Sequence, residues 1–442
     1  MSRALERFYR GLYVEHVDTA GFLYEQWATR LMESAPAARA LVELECRLEP
    51  HLDALLLGGE RALAVALEAA AGGEPGERHI AARLFCRLRH AAGLRATLDG
   101  YDALAADDAA AAAGLRTALA RALAWELPGD WLAPLSAALE RASGARIGLL
   151  ATVAALRRLP LGLALLDAWP RAAPADREPI ARALGRLPAQ DPAVPVAREL
   201  LPGLAAGEGE PVRAAAARAL LRLGAPASGL ALLAPPHAEA LLNLALAGGE
   251  EAGALLLEAC PRPAAIIALG LRGERRALEP LLEWLADPLA GAAATLALRL
   301  LTGAAPTEIV FVPESVTPEA LFPREYTRWL EGHEPRADGR PWGRQLVRMS
   351  RNPDDWRAQL ARLPASGRVR AGGPANAAGA AVPLLEDDGW PQSLKIVALD
   401  ELAIRYGLIP DFDPELPMLE QRRRRPGLAE ACALRSRGAG GG

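Results

Sequence analysis

The chain has 442 residues, of which 51% are hydrophobic but only 5% aromatic, so alanine and leucine supply most of its apolar surface. Both residues favour helix and neither is β-branched, which predicts an all-α protein with two or three domains or one extended repeat array. The formal net charge is −4, and arginine alternates with acidic residues along the chain, a pattern that disfavours nucleic-acid binding.

The four cysteines are isolated from one another, and the N-terminus carries charges throughout instead of the apolar core of a signal peptide. No uncharged apolar run in the sequence reaches membrane-spanning length. We therefore expect a cytoplasmic protein that has no membrane segment and keeps its thiols reduced.

The first region, residues 1–75, is predicted to be helical and to cap the array that follows. A leucine stripe at helical spacing runs from 44 to 56 and should face a core. Glu45, Glu49 and Asp53 recur every four residues, so we expect them to form one solvent-exposed ridge on the same helix.

The second region, residues 76–303, repeats an Ala/Leu-rich helix that ends in a small or basic residue and then Gly or Pro. The clearest copies are IARALGRLP (180–188), AAARALLRLG (215–224), AIIALGLRG (265–273) and ATLALRLLTG (294–303). Copies recur about every 25 to 35 residues, which leaves room for two short helices and two tight turns. Such a helix pair cannot bury its apolar face alone, so neighbouring pairs must stack. The array resembles HEAT-like repeats, and the resemblance implies an α-solenoid of stacked helix pairs.

The third region, residues 304–420, is richer in Trp, Pro and Arg, and its predicted structure is irregular backbone with short helices. One clear helix, WPQSLKIVALDELAIRYG (390–407), has an apolar face and a glycine stop. The last region, 421–442, carries the arginine run 422–425 and a Gly-rich end, and is predicted to be disordered.

Histidine and cysteine side chains in the first half of the chain do not form a convincing metal site. His51 lies two residues from the nearest acids, and side chains two apart on a helix diverge. His79, Cys86 and His90 share one helix face, but Arg83 lies on that face and disfavours a cation. We interpret these three as polar groups on a partly exposed face.

The sequence contains no Gly-x-Ser-x-Gly elbow, Walker loop or dinucleotide-binding glycine motif, and it predicts no catalytic residue, no cofactor and no metal. A single His333–Glu334 dipeptide is too little for the iron pair of HEAT-repeat deoxyhypusine hydroxylases, which use several. The alternative of a HEAT-like nucleic-acid-processing or other enzyme places its site where the array meets the third region. Trp329, His333 and Trp342 are the candidate interaction surface there.

Two N-terminal stretches, HVDTAGFLYEQW (16–27) and LVELECRLEPHLDALLLGGERAL (41–63), are more distinctive than any repeat. Together with ELAIRYGLIPDFDPELP (401–417), they resemble an uncharacterised proteobacterial HEAT-like-repeat family whose members are often encoded near type VI secretion loci. Ala54 departs from the family pattern, which favours Gly. The positions that carry the resemblance are His16, Phe22, Leu23, Arg47, Leu48, His51, Leu52, Asp53, Leu55, Gly58 and Gly59.

The resemblance implies a cellular context but no catalytic residues. With the repeat array and the acidic balance, it leads us to expect a non-enzymatic scaffold or adaptor that binds a protein partner. The expected setting is a bacterial type VI secretion system. The sequence leaves the partner and the oligomeric state open.

Overall fold

The computed structural model describes residues 3–33, 37–233, 238–338, 340–375 and 378–439. These residues form 23 α-helices and four short strands, and 72% of the structure is helical. The prediction of a mostly helical protein is confirmed. Within the described residues, every helix is too short or too polar to cross a membrane.

The chain divides into two compact units, the first made of residues 1–249 and 377–442, the second of residues 250–376. The four sequence regions drawn above, with boundaries after 75, 303 and 420, stay a prediction.

The first unit contains seventeen of the helices. They are α1 (Arg3–Met32), α2 (Ala38–Leu57), α3 (Gly59–Gly72), α4 (Pro75–Arg87), α5 (Ala91–Asp107), α6 (Ala109–Glu126), α7 (Leu132–Arg141), α8 (Ala145–Arg157), α9 (Gly162–Ala168), α10 (Pro174–Leu184), α11 (Ala193–Ala206), α12 (Glu210–Arg222), α13 (Pro226–Ala231), α14 (Ala238–Ala247), α21 (Val382–Glu386), α22 (Gln392–Tyr406) and α23 (Met418–Ala439).

Helices α4, α6, α8, α10 and α12 pack one against the next, and each also packs against the odd-numbered helix that precedes it in the chain. Small residues let these helices approach closely. A Cβ on Gly185, just after α10, would lie only 2.6 Å from the Cα of Ala219 on α12. Leucines such as Leu149, Leu184 and Leu220 fill the shared core.

The ends of the first unit meet at α1 and α2. Helix α1 packs along α2 and α4, and it contacts α22. Helix α23 packs against α2 and α21, so the last helix of the chain contacts one of the first.

A helix over 418–439, with Pro426 inside it, replaces the disorder that we predicted for residues 421–442, so that prediction is wrong as far as residue 439. Residues 440–442 lie outside the described residues. Arg422 and Arg425 both pair with Asp388, and Arg424 pairs with Asp411 at 2.7 Å. Because these acids lie outside the arginine run, its composition alone could not show that the charges are compensated.

The second unit contains six helices and four strands. They are α15 (Glu251–Glu258), α16 (Pro263–Arg272), α17 (Leu278–Trp284), α18 (Gly291–Thr302), β1 (Thr307–Pro313), α19 (Pro323–Leu330), β2 (Gly343–Met349), α20 (Pro353–Leu360), β3 (Val369–Arg370) and β4 (Gly373–Pro374).

Helices α16 and α18 pack together, as do α15 with α16 and α17 with α18. The predicted helix stops at Gly273 and Gly303 are confirmed, because both residues adopt the left-handed conformation with φ of +76° and +71°. A residue with a Cβ would be strained there.

Strands β1 and β2 form an antiparallel pair with a register from Thr307↔Met349 to Pro313↔Gly343. We predicted irregular backbone and short helices in this region, so the strands are a correction. The cause is local: residues 309–312 are Ile-Val-Phe-Val, a β-branched and aromatic run that favours extended backbone.

Candidate functional site

A cleft of about 710 Å³ opens in the first unit, lined by residues of α1, α2, α4, α6, α8 and α23 and of the loop before α23. Four aromatic side chains line this polar cleft: Tyr24, Trp27, Trp125 and Phe412. Six arginines and six carboxylates line it too: Glu45, Glu49, Arg83, Arg87, Glu126, Arg157, Arg158, Asp411, Asp413, Glu420, Arg423 and Arg424.

Glu45 lines the cleft and is only 8% exposed. Its Oε1 accepts hydrogen bonds from the indole Nε1 of Trp27 and from the backbone N of Met418, both at 2.8 Å. Its Oε2 lies 3.4 Å from the backbone N of Leu419. One carboxylate therefore joins α1, α2 and the first turn of α23.

Burial raises the pKa of the Glu45 carboxyl, and the hydrogen bonds from Met418 and Trp27 offset that effect only in part. The prediction of a solvent-exposed ridge through Glu45, Glu49 and Asp53 is wrong at Glu45. The spacing of four was correct, but α23 covers the face on which Glu45 lies.

Four charged side chains form a network next to Glu45. Arg83 donates from Nη2 to Glu49 Oε1 at 2.7 Å and to Glu126 Oε1 at 2.5 Å. Arg87 donates from Nη2 to Glu49 Oε2 at 2.7 Å and to Glu126 Oε1 at 2.6 Å. Burial opposes the ionisation of Glu126, but the hydrogen bonds and charges of Arg87 and Arg83 outweigh it and lower the pKa of this carboxyl.

His79 is fully buried on α4, with its ring stacked on Tyr24 at a centroid distance of 3.5 Å. Its Nδ1 lies 2.8 Å from the backbone oxygen of Ala118, so Nδ1 carries the proton and donates to that carbonyl. Burial, reinforced by the positive charge of Arg83, lowers the pKa of His79 far below its ordinary value.

The interpretation of His79, Cys86 and His90 as polar groups on a partly exposed face is therefore wrong for the first two. Cys86 is also buried, and burial raises the pKa of its thiol to about 12. His90 starts α5 by accepting a hydrogen bond from the backbone N of Gly93 at 2.9 Å. These groups are structural.

The two histidines of the stretches that carry the predicted resemblance, His16 on α1 and His51 on α2, meet with their Nδ1 atoms 2.9 Å apart. One ring must donate and the other accept, so at least one is neutral. Burial, together with the neighbouring His16, lowers the pKa of His51. The pair links the first two helices on a partly exposed surface.

The other signature residues have separate environments. Phe22 is 58% exposed and Arg47 is exposed. Asp53 lies 3.8 Å from Arg87 Nη1 on the neighbouring helix α4.

The two signature glycines fit the tight α2–α3 connection. A Cβ on Gly58 would lie 2.6 Å from the Tyr13 ring, and Gly59 has a φ of +57°. This part of the signature is a requirement of backbone geometry.

The predicted interaction surface lies in the second unit. Trp329 packs beside Tyr326 with ring centroids 6.0 Å apart, and the guanidinium of Arg336 lies 5.2 Å from the Trp342 ring centroid. His333 is exposed, and both tryptophans are partly exposed. The two tryptophans therefore contact different side chains, Tyr326 for Trp329 and Arg336 for Trp342.

A set of arginines at helix ends belongs to the repeat pattern of a basic residue followed by Gly or Pro, but the sequence reasoning assigned these arginines no role. The motif Arg-Leu-Pro follows helices α8 and α10 at 158–160 and 186–188, and Arg-Leu-Gly ends α12 at 222–224. Arg-Leu-Pro occurs once more at 362–364, in the second unit. We call Arg158, Arg186 and Arg222 the arginine row. Recurrence of a charged residue at a fixed point of a repeat could have marked it.

Among the described residues, no group of three or more His, Cys, Asp and Glu side chains is placed to hold a metal ion. Comparison of the chain with protein-family models, with curated proteins and with solved structures finds no match.

Proposed function

We propose that this chain is a non-enzymatic adaptor whose HEAT-like stack of helix pairs binds a protein partner. The observation that carries the proposal is the succession α4, α6, α8, α10 and α12, each packed on the next and each paired with the preceding helix. Stacked pairs of this kind present extended surfaces built from equivalent positions of successive repeats, which suits the binding of another protein chain.

The hydrogen bonds of the acids in the polar cleft support the non-enzymatic part of the proposal. Glu45 accepts from Trp27 and Met418, and Glu49 and Glu126 accept from Arg83 and Arg87. A general acid or base must reach a substrate proton, and these oxygens are already used to join helices. We assign them a structural role.

The setting that we propose is a bacterial type VI secretion system, through the uncharacterised HEAT-like family that the N-terminal signature resembles. The contacts of that signature support a role as the cap of the stack, because His16 meets His51 and Gly58 fits against Tyr13. Each of these contacts fixes the first helices and leaves the partner surface elsewhere.

The test is co-purification of the full chain with the products of adjacent genes, followed by size-exclusion chromatography. We expect one product to elute with the chain at a fixed stoichiometry. If none of the products binds at low or high salt, the adaptor proposal is wrong. A matched variant with Leu57→Ser, which changes a side chain that is 90% exposed at the end of α2, controls for nonspecific apolar capture.

A further inference from the structure

The arginine row is partly occupied by the chain itself. Residues 408–417, Leu-Ile-Pro-Asp-Phe-Asp-Pro-Glu-Leu-Pro, connect α22 to α23 and contact the row; we call them the acidic segment. Arg158 donates to the backbone oxygens of Pro410 and Phe412, the latter at 3.0 Å. Arg186 donates to Asp413 at 3.3 Å and to Glu415 at 2.8 Å.

One apolar side chain fixes the position of the acidic segment. Phe412 is 1% exposed, whereas the neighbouring Asp411 side chain is 91% exposed. Prolines at 410, 414 and 417 interrupt any helix or strand, and the segment contains only a turn that closes from Leu416 N to Asp413 O. An extended, proline-flanked stretch with one buried aromatic and paired charges is the form in which many short peptides are recognised.

The third arginine of the row has a different kind of partner. Arg222 pairs with Asp400, which also accepts from Arg218 at 3.2 Å. Asp400 belongs to the regular helix α22, so this contact is part of the helix packing. Only Arg158 and Arg186 contact a segment that has no secondary structure of its own.

The acidic segment is buried at Phe412 and Asp413, which are 1% and 4% exposed, and it also borders the polar cleft. Phe412, Asp413, Leu416 and Pro417 all border the polar cleft, which leaves about 710 Å³ of open space beside them. To leave its site, the segment must break its contacts with Arg158 and Arg186 and the two hydrogen bonds that Gln421 Nε2 donates to its backbone oxygens, while α8 and α10 keep their own packing.

We propose that Arg158 and Arg186 form a recognition site for an acidic segment of a partner protein, and that residues 408–417 occupy this site until the partner displaces them. The partner segment carries a large aromatic residue followed by two carboxylates at the spacing of Asp413 and Glu415. This inference rests on the proposed adaptor function and names its docking site. The chain's own segment competes at an effective concentration in the millimolar range, so it sets a threshold for the partner's affinity.

The test measures binding of a fluorescently labelled peptide, LIPDFDPELP, to the full chain by anisotropy. The double variant Asp413→Asn, Glu415→Gln weakens the internal segment, and we expect it to bind the peptide at least tenfold more tightly than the unmodified chain does. Adding Arg186→Gln to that variant should abolish the gain. Adding Arg182→Gln, which changes an exposed arginine on α10 just before Arg186, should leave it intact.

Equal binding by the double variant and the unmodified chain would overturn the inference, as would binding that survives Arg186→Gln. A peptide with Asn and Gln in place of its acids should not bind, and tight binding by it would have the same meaning. Circular dichroism and thermal unfolding establish that each variant is folded.

A measurement on the unmodified chain guards against variants that fail to fold. Excess peptide should increase proteolytic cleavage within residues 408–417, because displacement exposes them; unchanged cleavage at saturating peptide contradicts the inference. The outcome is separable from the adaptor test. A partner that co-elutes equally with the Arg186→Gln variant preserves the adaptor and removes this site.

Discussion

Glu45 on α2 joins two helices that are far apart in the sequence, α1 and α23. Its Oε1 accepts from both Trp27 Nε1 and Met418 N, so removing it leaves two buried donors without an acceptor. We expect Glu45→Ala to lower the free energy of unfolding by roughly 2 to 4 kcal/mol. Urea denaturation at pH 7 measures this. Glu43→Ala, which changes an exposed glutamate on the same helix, should stay within about 0.5 kcal/mol.

The charge of Glu45 makes a second, opposite contribution. Because its pKa is raised in the folded state, the neutral carboxyl stabilises the fold at low pH and that stabilisation is lost as pH rises through the folded pKa. Glu45→Gln keeps an oxygen for both donors without the charge. Its stability relative to the unmodified chain should therefore increase from pH 4 to pH 7, and a constant difference would contradict the assignment.

Lys395 is the single lysine of the sequence and is fully buried on α22. Its Nζ has no hydrogen-bond partner among the described residues, and burial, with the charge of Arg425 nearby, lowers its pKa to about 8. Below that pH the lysine is charged, and holding the charge in a buried site lowers the stability of the folded state, whereas the unfolded chain keeps the charge in water.

Replacing Lys395 with Met should stabilise the protein at pH 7 by roughly 1 to 3 kcal/mol. The sign depends on pH: the cost is complete below about 8, decreases up to the unfolded pKa near 10.5, and is absent above it. Chemical denaturation of both proteins at pH 7 and pH 10.5 tests this. Lys395→Arg retains the charge and should give no gain at either pH.

At the scale of elements, the close approach of paired helices depends on small residues. A Cβ on Gly270 of α16 would lie 2.7 Å from the Cα of Ala297 on α18, and this backbone contact cannot be relieved by a rotamer change. We expect Gly270→Ala to destabilise the second unit by about 1 to 3 kcal/mol.

The matched control for Gly270→Ala is Gly114→Ala in the interior of α6, where a Cβ would meet nothing within 4 Å. There the gain in helix propensity should stabilise the protein by up to about 1 kcal/mol. If both substitutions shift thermal unfolding in the same direction, the helix packing described for α16 and α18 is wrong.

The elements also show how far the sequence could be interpreted. Alanine and leucine content predicted helices, and glycine stops at 273, 303 and 407 were predicted from local chemistry alone. The run Ile-Val-Phe-Val in 307–313 favours a strand, but the helical composition of the whole chain led us not to predict one there. Local patterns were sufficient to predict the helices and their ends. They were not sufficient where one short β-favouring run differed from the average composition of the chain.

The candidate site required information that local patterns do not carry. A spacing of four placed Glu45 and Asp53 on one helix face, but only α23 decides which part of that face is covered. Arg186 contacts Glu415 of the acidic segment, which is 229 positions away in the sequence, and no periodicity connects the two residues. The local signals of the arginine row were the Arg-Leu-Pro and Arg-Leu-Gly motifs at the helix ends.

At the scale of the whole molecule, the two compact units should respond to different substitutions. Glu45 lies in the first unit and Gly270 in the second. Hydrogen exchange under increasing urea should show Glu45→Ala speeding the exchange of α1 and α4 amides, and Gly270→Ala that of α16 and α18. If each variant lowers protection equally across all four helices, the units do not unfold separately.

The bond between Glu45 and Met418 has a consequence for the order of synthesis. The two residues are 373 positions apart, and a ribosome adding 5 to 20 residues per second needs roughly 20 to 75 s to pass from one to the other. During that time the second unit is completed, whereas Glu45 and its partner Trp27 still lack the hydrogen bond from the backbone of α23. The first unit is therefore begun first and completed last. Until α23 is synthesised, the buried donors and acceptors of its first helices lack their partner, and this is the period in which a chaperone would protect the chain most.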